Sequence, residues 1–172
     1  MGDEDLSAFY REHHARLFRF AWRLVHSEDK AADLVQEAWC RCLPRFLAPA
    51  GAVPPDKRAG YLYRAVHNLG INLLTRSRED ATELAESAHG APAGAARDHA
   101  DSVSDGVDVW RCLQGLTAEE RSALVLAAFE GFRTREIAEV LQLSDDAVFR
   151  RVKSAESKLR RCLQLDATVD RP

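Results

Sequence analysis

Residues 134–161 read Thr-Arg-Glu-Ile-Ala-Glu-Val-Leu-Gln-Leu-Ser-Asp-Asp-Ala-Val-Phe-Arg-Arg-Val-Lys-Ser-Ala-Glu-Ser-Lys-Leu-Arg-Arg. The spacing predicts a helix, a tight turn and a second helix. Thr134 is placed to cap the first helix, with Ile137, Ala138 and Leu141 on one inward face. Ala138 is small where two helices must cross closely. Ser144 is placed to cap the second helix, and Asp145 and Asp146 suit its positive N-terminal end. Val148 and Val152 anchor that helix, which leaves Phe149, Arg150, Lys153 and Ser154 turned outward. Residues 148–161 carry six basic side chains (Arg150, Arg151, Lys153, Lys158, Arg160 and Arg161) against one acid, Glu156. A purely structural helical hairpin has similar periodicity. The outward cations and the turn spacing favour the layout of a helix-turn-helix DNA reader.

Upstream of this stretch, Thr117-Ala118-Glu119-Glu120 is a capping box opening another helix. Leu124, Val125, Ala128 and Phe129 form its apolar stripe, and Gly131 ends it. A net charge of −3 does not suit a DNA binder until it is divided along the chain. Residues 1–80 hold 12 Lys/Arg against 11 Asp/Glu, and residues 110–172 hold 11 against 10. Residues 81–109 hold one Arg against 6 acids, so the acidity is concentrated in the middle. Local field rather than net charge governs phosphate binding. Residues 80–108 are rich in Ala, Gly, Ser and Asp, with Pro92 and Gly94 near the centre and few large apolar side chains. Such a segment buries too little surface to offset its ordering entropy and reads as a flexible acidic linker.

The N-terminal part repeats the helical pattern. Leu6, Phe9, Tyr10, His13, Leu17, Phe20, Ala21 and Leu24 fall on one apolar face. Ser27 is placed to cap a second helix whose inward residues are Leu34, Val35, Ala38, Trp39, Cys42 and Leu43, with Pro44 near its end. Residues 47–59 form a Pro-rich loop. A third helix, over about 58–77, buries Leu62, Ala65, Val66, Leu69 and Leu73. It also carries a polar stripe, since Arg64, Asn68, Asn72 and Arg76 step by four along one face. Asparagine is a poor helix former, yet it offers the donor-and-acceptor pair that reads a base edge. From the pattern alone the stripe is either a solvated face or a reader of bases.

The fold expected is therefore all-α. Two small helical domains, 1–79 and 109–165, are joined by the linker 80–108 and followed by a tail, 166–172. No apolar run approaches the roughly 18 residues of a membrane span, and the acidic N-terminus lacks a signal-peptide layout. A cytoplasmic protein is expected. Cys40, Cys42, Cys112 and Cys162 form no Cys-x-x-Cys pair and read as reduced cysteines in or near the core. The six histidines show no metal-ligand spacing, and neither a Gly-rich phosphate loop nor a Gly-x-Ser-x-Gly nucleophile motif occurs. No enzyme, metal or cofactor is expected.

With these modules placed, the chain resembles an extracytoplasmic-function sigma factor of the sigma-70 family. Residues 9–46, including Ala32-Asp33-Leu34-Val35-Gln36-Glu37-Ala38, resemble the first part of region 2. Residues 60–76, Gly-Tyr-Leu-Tyr-Arg-Ala-Val-His-Asn-Leu-Gly-Ile-Asn-Leu-Leu-Thr-Arg, resemble the helix that meets the promoter −10 element. Residues 110–163 resemble region 4, the −35 reader. The resemblance implies that core RNA polymerase (β and β′ subunits), promoter DNA and an anti-sigma factor are its partners. It assigns Asp33, Gln36 and Glu37 to the polymerase clamp. Arg64, Asn68, Asn72 and Arg76 go to the −10 strand, with the 47–59 loop trapping an extruded base. Thr134, Phe149, Arg150, Arg151, Lys153, Ser154 and Lys158 go to the −35 duplex. The linker would thread the polymerase channels, although a solvated tether has the same composition. The chain departs from the family pattern at Tyr61, where Trp is frequent, and at Asn72, where Asp is frequent. Gln142 stands at the turn position where Gly is usual, and Asp145-Asp146-Ala147 replaces a small-Gly-Thr run. The other reading is a stand-alone helix-turn-helix regulator, which leaves the Asp33, Gln36 and Glu37 face unexplained.

Overall fold

The computed structural model of the chain describes residues 3–48, 53–87 and 104–169; these form seven α-helices and one short 3-10 turn, with no strand among them. The helices are α1 (Asp3–Val25), α2 (Glu28–Leu47), α3 (Arg58–Ser87), α4 (Ser104–Gln114), α5 (Ala118–Ala128), α6 (Thr134–Leu141) and α7 (Asp145–Val169). The all-α expectation holds.

Only His26 and Ser27 separate α1 from α2. His26 takes a left-handed φ of 53°, and its N–H closes α1 on the Trp22 carbonyl at 2.8 Å. The Ser27 hydroxyl then accepts the Lys30 N–H, the cap expected from the sequence. The inward face of α2 is Leu34, Val35, Ala38, Trp39, Cys42 and Phe46. It shares one core with Leu17, Phe20 and Ala21 of α1 and with Leu62 and Val66 of α3. Each large side chain removed from water there contributes roughly 1.5–3 kcal/mol, enough to hold three helices together. Tyr10 does not join that core. It is 41% exposed and stacks on His14, with ring centroids 4.7 Å apart. At Gly70 the helices approach closely, since a Cβ there would lie 2.4 Å from Leu24 Cδ2.

The linker expectation is narrowed. α3 continues to Ser87, past its expected end, and α4 begins at Ser104, before the expected domain boundary. Residues 88–103 of the linker and 49–52 of the Pro-rich loop lie outside the described residues.

In the C-terminal module the Thr117 capping box is present in both directions. The Glu120 N–H bonds the Thr117 hydroxyl at 3.2 Å, and the Thr117 N–H bonds the Glu120 carboxylate at 3.0 Å. Gly131 has the left-handed φ of 72° expected past α5. Phe129, assigned to the α5 stripe, is instead 51% exposed, with the Arg23 guanidinium 4.3 Å from its ring centroid. The helix has already ended at Ala128, so Phe129 leaves the buried face. Thr134 is the first residue of α6 and not its cap. The Arg133 N–H is instead met by the Glu136 carboxylate at 2.7 Å.

The cysteine expectation is corrected for one pair. Cys112 of α4 and Cys162 of α7 form a disulfide, with Cα atoms 5.6 Å apart. Their separation of 50 residues hid from the sequence that α4 and α7 are neighbours. Cys40 and Cys42 are free thiols, and burial pushes the Cys42 pKa up to about 11.

The modules pack directly on each other. Tyr63 of α3 meets Phe132 edge-on at 4.9 Å, and Trp22 of α1 stacks on Trp110 of α4 at 4.8 Å. Arg121 of α5 is buried and donates to the carbonyls of Leu24, Leu113, Gln114 and Leu116. Glu130 is also buried, and its carboxylate accepts from the Tyr63 hydroxyl at 2.6 Å and from Arg16 Nε at 3.2 Å. A third contact joins His67 Nδ1 to the Ser122 hydroxyl at 2.9 Å.

Candidate nucleic-acid interface

The turn between α6 and α7 is built as the sequence demands. Gln142 adopts a left-handed φ of 56°, at the position where glycine would be unstrained. The Leu143 N–H returns to the Ala138 carbonyl at 3.0 Å, and the Ser144 hydroxyl accepts the Ala147 N–H at 3.2 Å. Ile137, Ala138, Val140, Leu141 and Val148 are buried beneath the turn. Two helices crossed in this way put the first turns of α7 on the surface.

The expected −35 set divides in two. Phe149, Arg150 and Lys153 face solvent, Phe149 at 59% exposure, and Lys153 Nζ lies 5.9 Å from the Phe149 ring centroid. Thr134 is exposed at the start of α6. Arg151, Ser154 and Lys158 are instead tied to α5. Arg151 pairs with Glu119 at 2.6 Å, while Ser154 and Lys158 donate to Glu120 at 2.7 and 2.8 Å. Burial alone would raise the Glu120 pKa. The bonds from Lys158, Ser154 and the Thr117 N–H outweigh it and hold the pKa at about 2. Ser154 was expected to turn outward, but the capping carboxylate of α5 draws its hydroxyl inward.

The polar stripe of α3 divides as well. Asn68, Asn72 and Arg76 are exposed along one face. Arg64 is half-buried and donates to the Glu139 carbonyl of α6. Lys57 pairs with the Glu139 carboxylate at 2.7 Å, so α6 covers the N-terminal end of α3. Between them lies a cleft of about 390 Å³ lined by Val53, Tyr61, Phe132 and Val140 among others.

A second cleft, of about 310 Å³, runs between α2 and α3. Asp33, Glu37 and Arg41 line one wall, and Asn72 and Arg76 the other. Glu37 bonds Arg41 at 2.6 Å, one turn along α2, and Gln36 is exposed beside the cleft. The structure thus brings members of two separately predicted sets, Asp33 and Glu37 with Asn72 and Arg76, into one groove, whereas Arg64 and Asn68 lie outside it. Sequence reasoning missed Arg121, Glu130 and Glu139. Glu130 and Glu139 meet partners across the module boundary, and Arg121 meets Leu24 there as well as three carbonyls of its own module, so no local spacing signals them.

Residues 9–80 match the family described as Sigma-70 region 2, and residues 107–159 match Sigma-70, region 4. The chain belongs to the sigma-70 family. Among curated relatives, this sigma factor is 26% identical to the ECF RNA polymerase sigma factor SigL of Mycobacterium tuberculosis (strain H37Rv), over 92% of this chain and 89% of that one. It is 26% identical to SigM of Mycobacterium tuberculosis (strain H37Rv), over 90% of this chain and 74% of that one. Among solved structures, its fold is similar to the sigma factor RpoE in complex with the anti-sigma factor NepR from Bartonella quintana. That likeness has a TM-score of 0.69 at 21% identity and covers 98% of this chain and 99% of the other. In the sigma factor's own terms, region 2 is α1–α3, and region 4 is the four-helix unit α4–α7 whose α6–α7 pair carries the turn. Among the described residues no helix is long and apolar enough to cross a membrane.

Proposed function

We propose that this chain is a transcription initiation factor that binds core RNA polymerase through α2 and directs it to −10 and −35 promoter elements. Asp33, Gln36 and Glu37 dock on the polymerase clamp. Asn68, Asn72 and Arg76, with Arg64 once α6 releases it, engage the −10 strand as it melts. Phe149, Arg150 and Lys153 enter the −35 major groove, and Thr134, Arg151, Ser154 and Lys158 flank them. The observation that carries the reading is the α2–α3 groove, where the carboxylates of Asp33 and Glu37, suited to a protein surface, stand opposite the Asn72 amide and the Arg76 cation, suited to a nucleic-acid strand. A lone DNA regulator has no use for that pairing.

The units are region 2 through α3, a linker between α3 and α4, and region 4 over α4–α7, with helices reaching into the 80–108 linker and the 166–172 tail expected from the sequence. The factor acts by binding alone, with no chemical step of its own, in the compartment that holds polymerase and promoter. The similar fold solved with NepR supports an anti-sigma factor as a further partner.

The test is competition for bacterial core polymerase against a housekeeping sigma factor. Saturable one-to-one binding with displacement is expected. No binding by the folded chain would leave the stand-alone regulator. Asn68→Ala with Asn72→Ala should abolish promoter opening and spare polymerase binding. Loss of both would refute the division of labour. Arg150→Ala with Lys153→Ala should weaken −35 binding and flatten its salt dependence.

A further inference from the structure

Helix α4 is wedged between the two modules. On one side Cys112 is bridged to Cys162 of α7. Trp110 lies two residues earlier, and so about 200° around the helix. It stacks on Trp22 of α1 and sits 4.1 Å from the His26 ring. The bridge therefore holds α4 by the face opposite the one that grips region 2. An 11-residue helix has little stability of its own and depends on such anchors. The other anchors are the Arg121 bonds and the packing of Leu113 and Leu116 against Leu124 and Ala155. The Arg121 bonds act at the C-terminal end of α4, beyond Trp110, whereas the apolar cluster also touches one side of Trp110. The bridge is the sole covalent tie among the described residues, and it lies beside the aromatic grip.

We infer that the Cys112–Cys162 pair is a redox-switched latch on the closed arrangement of regions 2 and 4. As a disulfide it keeps Trp110 on α1. As two thiols it lets α4 shift and the modules part. Disulfides in a reducing compartment, where polymerase works, are usually transient and sensing ones. Cys162 is partly exposed while Cys112 is 3% exposed, so the Cys162 side of the bridge is the more open to an incoming thiolate. Arg160 and Arg161 beside it favour the approach of that anion.

The exchange balances with a dithiol as reductant. Its first thiolate bonds to Cys162 Sγ, and Cys112 Sγ leaves and takes a proton. Its second thiolate then closes the reductant's own disulfide and releases Cys162, which also takes a proton. The protein gains two electrons and two protons, and the dithiol loses them. A small-molecule disulfide reverses the sequence.

Hydrogen exchange on the full chain tests the latch without polymerase or DNA. One sample is held in dithiothreitol and one in glutathione disulfide, with the cysteine state read by mass after alkylation. In the reduced chain the amides of α4 and of residues 22–26 should exchange roughly tenfold faster, while α2 stays unchanged. Cys112→Ala with Cys162→Ala should match the reduced chain in both solutions. Trp110→Ala, which keeps the bridge, should free residues 22–26 even when oxidised. Equal exchange in the two redox states would overturn the inference, as would a pair that stays as thiols in glutathione disulfide. If the double variant fails to fold, the wild-type comparison decides.

Discussion

Glu130→Ala removes the one carboxylate that holds three region 2 side chains at the module boundary. Its side chain is 3% exposed and accepts from the Tyr63 hydroxyl and from Arg16, with Arg23 at 3.9 Å. Burial, reinforced by that carboxylate, keeps the Tyr63 phenol protonated far above its ordinary range, so it always donates. Tyr63 is 1% exposed and finds no water once its acceptor is gone. An orphaned buried donor costs about 1–3 kcal/mol. Breaking a fully buried ion pair costs about 3–5 kcal/mol. Arg16, however, is 39% exposed and partly rehydrates, and it keeps a 2.9 Å bond to the Glu130 carbonyl. Together these point to a loss of roughly 3 kcal/mol for Glu130→Ala and about 1.5 kcal/mol for Tyr63→Phe. In a double-mutant cycle by urea denaturation the two should couple, the pair losing roughly 1–2 kcal/mol less than the sum. Additivity to within about 0.5 kcal/mol would show that the contact carries no energy, and the reasoning would fail.

Three further outcomes follow from the same geometry. The Ser122 hydroxyl donates to the Ala118 carbonyl at 2.8 Å, which leaves His67 Nδ1–H as the donor to Ser122 and the ring neutral. Burial, partly offset by Glu119, lowers the His67 pKa from 6.5 to about 4, so the folded chain binds this proton less readily than the unfolded one. Stability should therefore fall by about 3 kcal/mol as pH drops from 6.5 through 4, and urea midpoints of His67→Asn should lose that slope. The Glu120 contribution is lost only lower, between about 4.5 and 2, so the two windows separate. Gly70→Ala should destabilise by about 1–3 kcal/mol in thermal melts, because Leu24 is 1% exposed and has little room to retreat. Gln142→Gly should stabilise by up to about 1 kcal/mol in urea by relieving the left-handed turn, and an unchanged midpoint would show no strain there.

How much was legible follows from how local each signal is. The caps at Ser27, Thr117 and Ser144, the left-handed turn at Gln142 and the outward trio Phe149, Arg150 and Lys153 all depend on neighbours within one turn. Sequence reasoning found each of them. Helix α3 was read less completely because it serves three surfaces at once. Leu62 and Val66 face α1 and α2, Tyr63 and His67 face region 4, and Asn68, Asn72 and Arg76 face solvent. A helix with three occupied faces has no single apolar stripe, so Tyr63 and His67 went unassigned. Arg151 and Lys158 were counted with the outward cations because Glu119 and Glu120, their partners, lie more than 30 residues away. The disulfide was hidden for the same reason.

The composition of the module boundary bears on how the protein works. One apolar core runs from region 2 into region 4, joining Leu17, Phe20 and Val66 to Ala123, Leu126 and Val140, and beside it the boundary carries Glu130 with Tyr63, His67 with Ser122, the Arg121 bond to the Leu24 carbonyl, and the exposed Lys57–Glu139 pair. Apolar side chains gain nothing from water when helices separate. Buried ionic and hydroxyl groups regain hydration, which returns much of their desolvation cost. Parting the modules would rehydrate these polar groups but also expose the shared apolar core, so the boundary is closed by packing as well as by polar pairs. The polar pairs lower the cost of separation and the shared apolar core sets it, so opening would have to be driven by a partner that binds the parted modules more tightly.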